Sequence, residues 1–211
     1  MNLYLLLSII FVFLILAFRS FRAINIKKAK ALKISEWDEN IMAYHEAGHT
    51  VVFAELLNKN LLKVVTIVPS ENEFGATKAI FSENLNETYS ELIKKIAVVL
   101  AGRLSEEILL NETTTSAIHD LNEANFLASN MVLQFGMGKN IKFLRIEEEK
   151  LKLCSNELKQ RIEEDIFSII EEASILAEKT IKKNSSQIER IAKILLSKKT
   201  IVFSDLQKIL D

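Results

Sequence analysis

Cysteine, proline and glycine are scarce in this sequence of 211 residues. It contains one cysteine, one proline and five glycines. A single cysteine excludes an internal disulfide and a cysteine-based zinc site, and it agrees with a reducing compartment. We interpret Cys154 as a structural residue. With so few residues that break helices, long stretches keep helical spacing, and we predict a mainly α-helical protein.

An excess of charge of one sign is also missing. The sequence has 27 lysines and arginines against 28 aspartates and glutamates, a formal net charge of −1. This balance argues against nucleic acid as a partner. We interpret two acidic clusters, Glu147–Glu149 and Glu163–Asp165, as solvent-exposed surfaces.

The first eighteen residues carry no charged side chain. As a helix they reach roughly 27 Å, close to the ~30 Å hydrocarbon core of a bilayer. Lysines and arginines follow directly at positions 19, 22, 27, 28 and 30. A signal peptide would have its positive charge before the apolar run, and a core helix would have a polar face. We therefore predict a transmembrane anchor at 1–18 and a juxtamembrane linker at 19–38, with the remainder facing the cytoplasm.

Hydrophobic periodicity predicts several helices and one small β element in the rest of the chain. The predicted helices cover 39–57, 88–110, 121–135, 157–183, 186–199 and 204–210. Thr88 and Glu91 form a predicted capping box at one helix start. A β-branched segment ending at Pro69 predicts a strand, and residues 76–83 alternate weakly, as in an edge strand.

Two of the three histidines, His45 and His49, are four residues apart, and Glu46 follows the first. Positions four apart share one helix face, so both imidazoles can bind one zinc ion. Glu46 can then take a proton from a zinc-activated water and deliver it to a leaving amine. This is the H-E-x-x-H pattern of metalloproteases. Two unpaired histidines would destabilise the core that the apolar flanks predict, which favours a zinc site over chance spacing.

A catalytic zinc usually has three protein ligands, so one is still missing. Asp120, in a polar segment at the start of a predicted helix, is our first candidate. His119 beside it is nearly its equal on physical grounds. Glu106, Glu107 and Glu123 also stay open. The competing interpretation of Asp120 is an acid that stabilises the positive end of a helix dipole.

Five segments, in this order and spacing, resemble the peptidase domain of the FtsH family of membrane-anchored, ATP-dependent zinc metalloproteases. They are AYHEAGHTVV, KVVTIVP, LAGRLSEEIL, TTTSAIHDLNEAN and NMVLQFGMG. The resemblance runs from about Trp37 to the end, because the C-terminal helices also resemble the closing helices of that family. It implies a helical zinc-metallopeptidase domain at 39–211.

The resemblance also implies roles for individual residues. His45, His49 and Asp120 would bind Zn2+, and Glu46 would be the catalytic glutamate. The family usually has asparagine where this chain has His119. The segment FGATKAIF resembles the edge strand on which the family binds unfolded polypeptide by strand addition.

The family carries an ATPase module between its anchor and its peptidase. Here about twenty residues separate Phe18 from Asp38, and the sequence has no G-x-x-x-x-G-K-[ST] pattern. We therefore expect a zinc metalloendopeptidase of the cytoplasmic (inner) membrane that cleaves unfolded or loosely folded proteins without its own ATPase.

The alternative is a non-catalytic or regulatory subunit that assembles with ATPase-containing FtsH-like proteases. The resemblance implies a homo-oligomer (a hexamer) or a mixed ring with such relatives. An intramembrane protease is disfavoured, because the motif lies in a soluble helix.

Overall fold

The computed structural model describes residues 34–69, 75–79 and 86–210. The predicted anchor at 1–18 and most of the predicted linker at 19–38 lie outside these ranges. Within them, no helix combines the length and the apolar character that crossing a membrane requires.

Helices dominate the described residues, which confirms the mainly α-helical prediction. The α-helices are α1 (Glu36–Leu56), α2 (Tyr89–Ser105), α3 (Ile118–Leu133), α4 (Asn156–Lys183), α5 (Ser185–Lys198) and α6 (Phe203–Leu210). A π-helical turn, Glu106–Leu110, follows α2 directly, and 3-10 turns occupy Lys59–Leu61, Thr115–Ala117 and Glu148–Leu153. The first helix begins at Glu36, earlier than the predicted residue 39.

Local side-chain caps explain where two of these helices begin. Thr88 and Glu91 form the predicted capping box: the Thr88 hydroxyl accepts from the Glu91 backbone N–H, and the Glu91 carboxylate accepts from the Thr88 backbone N–H at 2.7 Å. Ser155 accepts in the same way from the Leu158 N–H ahead of α4. These caps satisfy backbone donors that have no partner inside the helix.

The β element is larger than predicted. Strands β1 (Leu62–Thr66) and β2 (Ala76–Ala79) form an antiparallel pair, and β3 (Thr200–Val202) pairs with the other side of β1, in the order β2-β1-β3. Strand β3 was not predicted, because three residues between two helices are too few to show alternation. Within the described sheet, β2 therefore has one unpaired edge.

The hydrophobic core lies among α2, α3 and α4, whose facing residues include Ile96, Met131 and Ala173. α1 crosses α2 closely at Gly48, where an added Cβ would stand 2.8 Å from the Ala101 carbonyl oxygen. Because glycine permits this approach, the face of α1 that carries both histidines lies directly on α2.

Asp165 corrects one prediction from the sequence. It is 2% exposed rather than part of a solvated acidic surface. Its carboxylate accepts hydrogen bonds at 2.9 to 3.0 Å from three consecutive backbone N–H groups, those of residues 139–141. The side-chain amide of Asn140 adds another at 3.1 Å. A Cβ at Gly138 would clash with this carboxylate. The loop after α3 is therefore tied to the middle of α4.

Replacing Asp165 with asparagine should destabilise the protein by about 2–3 kcal/mol. The amide nitrogen would face backbone N–H groups that lose their acceptor. We expect the melting temperature to fall by roughly 5–10 °C in calorimetry. Glu163→Gln, on the exposed side of the same helix, is the matched control and should change little. Equal melting temperatures for the two variants would show that the hydrogen bonds of Asp165 do not stabilise the fold.

Candidate metal centre

α1 directs His45, Glu46 and His49 toward the protein interior. His45 and Glu46 are buried and His49 is half-buried. The two imidazole rings lie edge to face with centroids 4.7 Å apart, and their Nε2 atoms are 3.1 Å apart. The spacing of four residues thus brings the same nitrogen of both rings to one point.

Asp120, in the first turn of α3, brings a carboxylate to that point. Its Oδ2 atom lies 2.9 Å from Nε2 of His45 and 3.3 Å from Nε2 of His49. Around a tetrahedral zinc with ligands at about 2.0–2.1 Å, two ligand atoms stand roughly 3.3–3.4 Å apart. The separations in this cluster approach that value, so the three atoms are arranged as the ligands of one small ion would be.

Among the described residues, these three side chains form the one group of histidine, cysteine and acidic residues arranged to hold a metal ion. The other residues considered as the third ligand lie elsewhere. His119, Glu107 and Glu123 are exposed. Glu106 is buried, but it contacts the opposite nitrogen of the His45 ring.

Hydrogen bonds to the outer ring nitrogens assign the tautomers of both histidines. Nδ1 of His49 lies 2.8 Å from the Val98 carbonyl oxygen, which can only accept, so Nδ1 carries the proton. Nδ1 of His45 donates in the same way to the Glu106 carboxylate at 2.6 Å. In the neutral rings, both Nε2 atoms then present lone pairs to each other and to Asp120. Three hydrogen-bond acceptors that face one another require a cation between them. Two imidazole nitrogens and one carboxylate oxygen form a ligand set that suits Zn2+.

The pKa values of the cluster without metal also show that a positive charge is favoured between these side chains. Burial alone would lower the pKa of His45, but hydrogen bonds to Asp120 and Glu106 and the nearby carboxylate charges raise it to about 10. Burial would raise the pKa of Asp120, but both histidines hold it well below its usual range. Without metal, a proton on His45 occupies the place that a cation would take, so metal binding competes with protonation.

Glu106 belongs to an outer layer of the site. Its carboxylate accepts from the Thr114 backbone N–H at 3.1 Å, the Thr114 hydroxyl at 2.9 Å and the Ser116 hydroxyl at 3.1 Å. Burial would raise the pKa of Glu106, but bonds to His45 and Thr114 lower it, so it is ionised. Since residues 114–117 lead directly into α3, Glu106 links His45 to the segment that positions Asp120.

Replacing Glu106 with glutamine should weaken zinc binding by about 10- to 100-fold, the usual effect of losing an outer partner of a metal-binding histidine. An amide has one accepting oxygen, so it cannot accept from Thr114 at one end and from His45 and Ser116 at the other. Competition with a chelator of known affinity measures the change. Glu107→Gln is the matched control, because Glu107 is adjacent and exposed. Unchanged affinity for the Glu106 variant would contradict this role.

Gly102 leaves room for the two imidazoles on α2. A Cβ there would lie 2.5 Å from Nε2 of His45 and closer still to Nε2 of His49. Any side chain at position 102 would therefore clash with both imidazoles where their Nε2 atoms converge. Gly102 was not among the predicted site residues, although a glycine inside a helical pattern is a signal of close approach.

Glu46 lies beside the cluster and is 6% exposed. Burial raises the pKa of its carboxyl, while the two histidines and a hydrogen bond from Thr77 act in the opposite direction. Thr77 lies in β2 and donates to Oε2 of Glu46 at 2.7 Å. This partner was not predicted, because no local pattern connects residues 46 and 77.

The family model described as Peptidase family M41 matches residues 32–209. This chain belongs to peptidase family M41. The match begins before α1 and ends at residue 209, one residue before the end of α6. It confirms the resemblance to FtsH proteases that the sequence segments indicated.

Curated relatives of this M41 chain carry the name ATP-dependent zinc metalloprotease FtsH. FtsH 2 of Thermoanaerobacter sp. (strain X514) is 35% identical over 184 residues, which are 85% of this chain and 34% of the relative. FtsH 1 of the same strain is 32% identical over 188 residues, 83% of this chain and 31% of the relative. FtsH of Mesomycoplasma conjunctivae is 34% identical over 202 residues, which are 89% of this chain and 27% of the relative. The chain thus spans about a third of the length of these relatives, and the predicted cofactor, Zn2+, is the metal in their names.

Proposed function

We propose that this M41 chain is a membrane-anchored zinc metalloendopeptidase that hydrolyses unfolded or loosely folded proteins without its own ATPase. The observation that carries the proposal is the convergence of His45, His49 and Asp120 on one point beside the buried Glu46. The relatives are named for zinc and for proteolysis. The 211 residues contain no phosphate-binding loop pattern.

In this proposal, each polar residue of the site has a defined task. His45, His49 and Asp120 would hold Zn2+ through Nε2, Nε2 and Oδ2. The bound ion would supply Lewis-acid polarisation of the scissile carbonyl and would acidify the attacking water. Glu46 accepts a proton from that water and gives it to the leaving amine. A carboxylate whose pKa is raised by burial is better matched to both transfers near neutral pH than an exposed one.

We propose that the substrate binds at the edge of β2 that has no partner strand among the described residues. An extended polypeptide can add to such an edge through backbone hydrogen bonds, which do not depend on its sequence. Thr77 in this strand contacts Glu46, so the edge runs beside the candidate catalytic residue. Folded proteins have few free extended segments, and the proposed preference for unfolded chains follows from this requirement.

The proposed anchor is the apolar segment at 1–18, with the peptidase domain facing the cytoplasm. We further propose that the chain assembles with other copies of itself or with ATPase-containing relatives. Phe143 and Phe167 are 99% and 69% exposed and provide apolar surface for such contacts.

The full-length protein, loaded with zinc, tests the enzymatic proposal. We expect cleavage of unfolded casein without ATP, loss of cleavage after chelation, and recovery when zinc is restored. A stably folded protein of similar size serves as the control substrate and should resist cleavage. A zinc-loaded preparation that leaves casein intact would contradict the proposal. Cleavage that appears only after an ATPase-containing relative is added would favour the alternative, a regulatory subunit of a mixed ring.

A further inference from the structure

The hydroxyl of Thr77 connects the outer strand of the sheet to Glu46. Its Oγ1 atom donates to Oε2 of Glu46 at 2.7 Å and lies 3.2 Å from the Glu46 carbonyl oxygen. A hydroxyl has one hydrogen, and the shorter distance identifies the carboxylate as its acceptor. The carbonyl has another donor, the Thr50 hydroxyl at 2.7 Å. The bond from Thr77 therefore serves the carboxylate.

The second carboxylate oxygen of Glu46 lies against Gly75, directly before β2. A Cβ at position 75 would stand 2.6 Å from Oε1 of Glu46 and 3.1 Å from the Thr66 carbonyl oxygen. Any larger residue would push the carboxylate aside. The start of β2 thus acts on both oxygens of Glu46: Thr77 binds Oε2, and Gly75 leaves space at Oε1.

We propose that Thr77 is a positioning residue for peptide hydrolysis, which holds the Glu46 carboxylate so that Oε1 is the oxygen that exchanges the proton with water. This inference rests on the proposed peptidase function. Glutamate has three side-chain torsions, and proton transfer needs its oxygen within hydrogen-bonding reach of the water. Threonine is well suited to hold it, because branching at Cβ restricts its own χ1 rotation.

The position of Thr77 in β2 adds a consequence for substrate binding. If the substrate pairs with the edge of β2 that lies opposite β1, the same strand holds the peptide through its backbone and the proton carrier through the Thr77 side chain. The distance between the scissile bond and Oε1 is then set within one element. Catalytic groups require positioning of this kind, because an error of about 1 Å can lower the rate 100-fold.

A simpler interpretation assigns Thr77 only the task of satisfying a buried carboxylate. The two interpretations differ in kinetics. Loss of a purely structural bond would lower stability and leave kcat unchanged, whereas loss of a positioning bond also lowers kcat, with KM unchanged.

The test compares Thr77→Val, which removes the hydroxyl at nearly constant shape, with Thr77→Ser, which keeps it. We expect the valine variant to lose about 10- to 100-fold in kcat on an unfolded peptide, with KM and zinc content unchanged. The serine variant should recover most of this loss. Thr66→Val is the matched control: Thr66 lies in the same sheet, but its hydroxyl contacts Lys199 and Thr200 in and beside β3.

A rise in KM at constant kcat, or an equal loss of kcat in Thr66→Val, would overturn the proposal. A double-mutant cycle of melting temperatures provides a readout that does not depend on activity. Thr77→Val should lower the melting temperature more in the native background than in Glu46→Ala. If the zinc-loaded chain hydrolyses no peptide, the peptidase function fails, and this coupling alone decides whether Thr77 holds Glu46. Absence of coupling would overturn the inference in either case.

Discussion

Replacing Glu46 with glutamine is expected to lower peptide hydrolysis by about 10²- to 10⁴-fold, the usual contribution of a group that transfers protons. Glutamine has the shape of glutamate and can still accept the Thr77 hydrogen bond through its amide oxygen. It cannot accept a proton from water. Glu46 is not part of the His45, His49 and Asp120 cluster, so the variant should retain its zinc.

The same substitution makes a second, independent prediction about stability. Burial raises the pKa of Glu46 above its ordinary value. At pH values above both its unfolded and folded pKa values, the ionised carboxylate therefore destabilises the fold, and this penalty disappears as pH falls through the folded pKa. Glutamine has no charge to bury, so Glu46→Gln should melt at the same temperature as the native protein or higher at neutral pH. Functional residues often carry such a penalty.

Steady-state cleavage of an unfolded substrate, zinc analysis and calorimetry measure these effects together. Glu55→Gln is the matched control, because Glu55 is an exposed acid on the same helix whose partner is Lys183. Its activity should stay close to that of the native protein. If Glu46→Gln kept normal activity, Glu46 would not be the proton carrier. If it lost its zinc, Glu46 would act on metal binding instead.

Asp120→Ala should abolish stable zinc binding, whereas His119→Ala should leave it intact. The Asp120 carboxylate lies 2.9 Å from Nε2 of His45, while the neighbouring His119 side chain points to solvent. Without Asp120, two neutral imidazoles remain in the cluster, and neither brings negative charge to a divalent ion. The loss of affinity should exceed the roughly 10- to 100-fold that follows removal of an outer partner.

Zinc content after dialysis, and competition with a chelator, distinguish the two variants. Both substitutions place alanine in the first turn of α3, so they are matched in their effect on helix stability. Retention of zinc by Asp120→Ala together with its loss from His119→Ala would mean that His119, and not Asp120, is the third ligand. Casein cleavage should follow the zinc content in both proteins.

The chain's local patterns predicted most of its helices. Helical periodicity and local caps act over three or four residues, so the capping box of Thr88 and Glu91 and the long helix ending at Lys183 could be recognised directly. The short strand β3 could not, since pairing with β1 stabilises it rather than its own sequence. Asp165 was misjudged for a similar reason: its partners at residues 139–141 are about 25 positions away in the chain.

By itself, the sequence determined that His45 and His49 share one helix face with Glu46 between them, because the geometry of a helix leaves no other arrangement. It did not determine the rest of the site on physical grounds. Only the tertiary structure decided that Asp120 faces the histidines while His119 faces solvent. It also decided that Glu106 accepts a hydrogen bond from Nδ1 of His45. It also decided that Thr77 reaches Glu46. These contacts join residues 31 to 75 positions apart, and packing of separate helices and strands creates them.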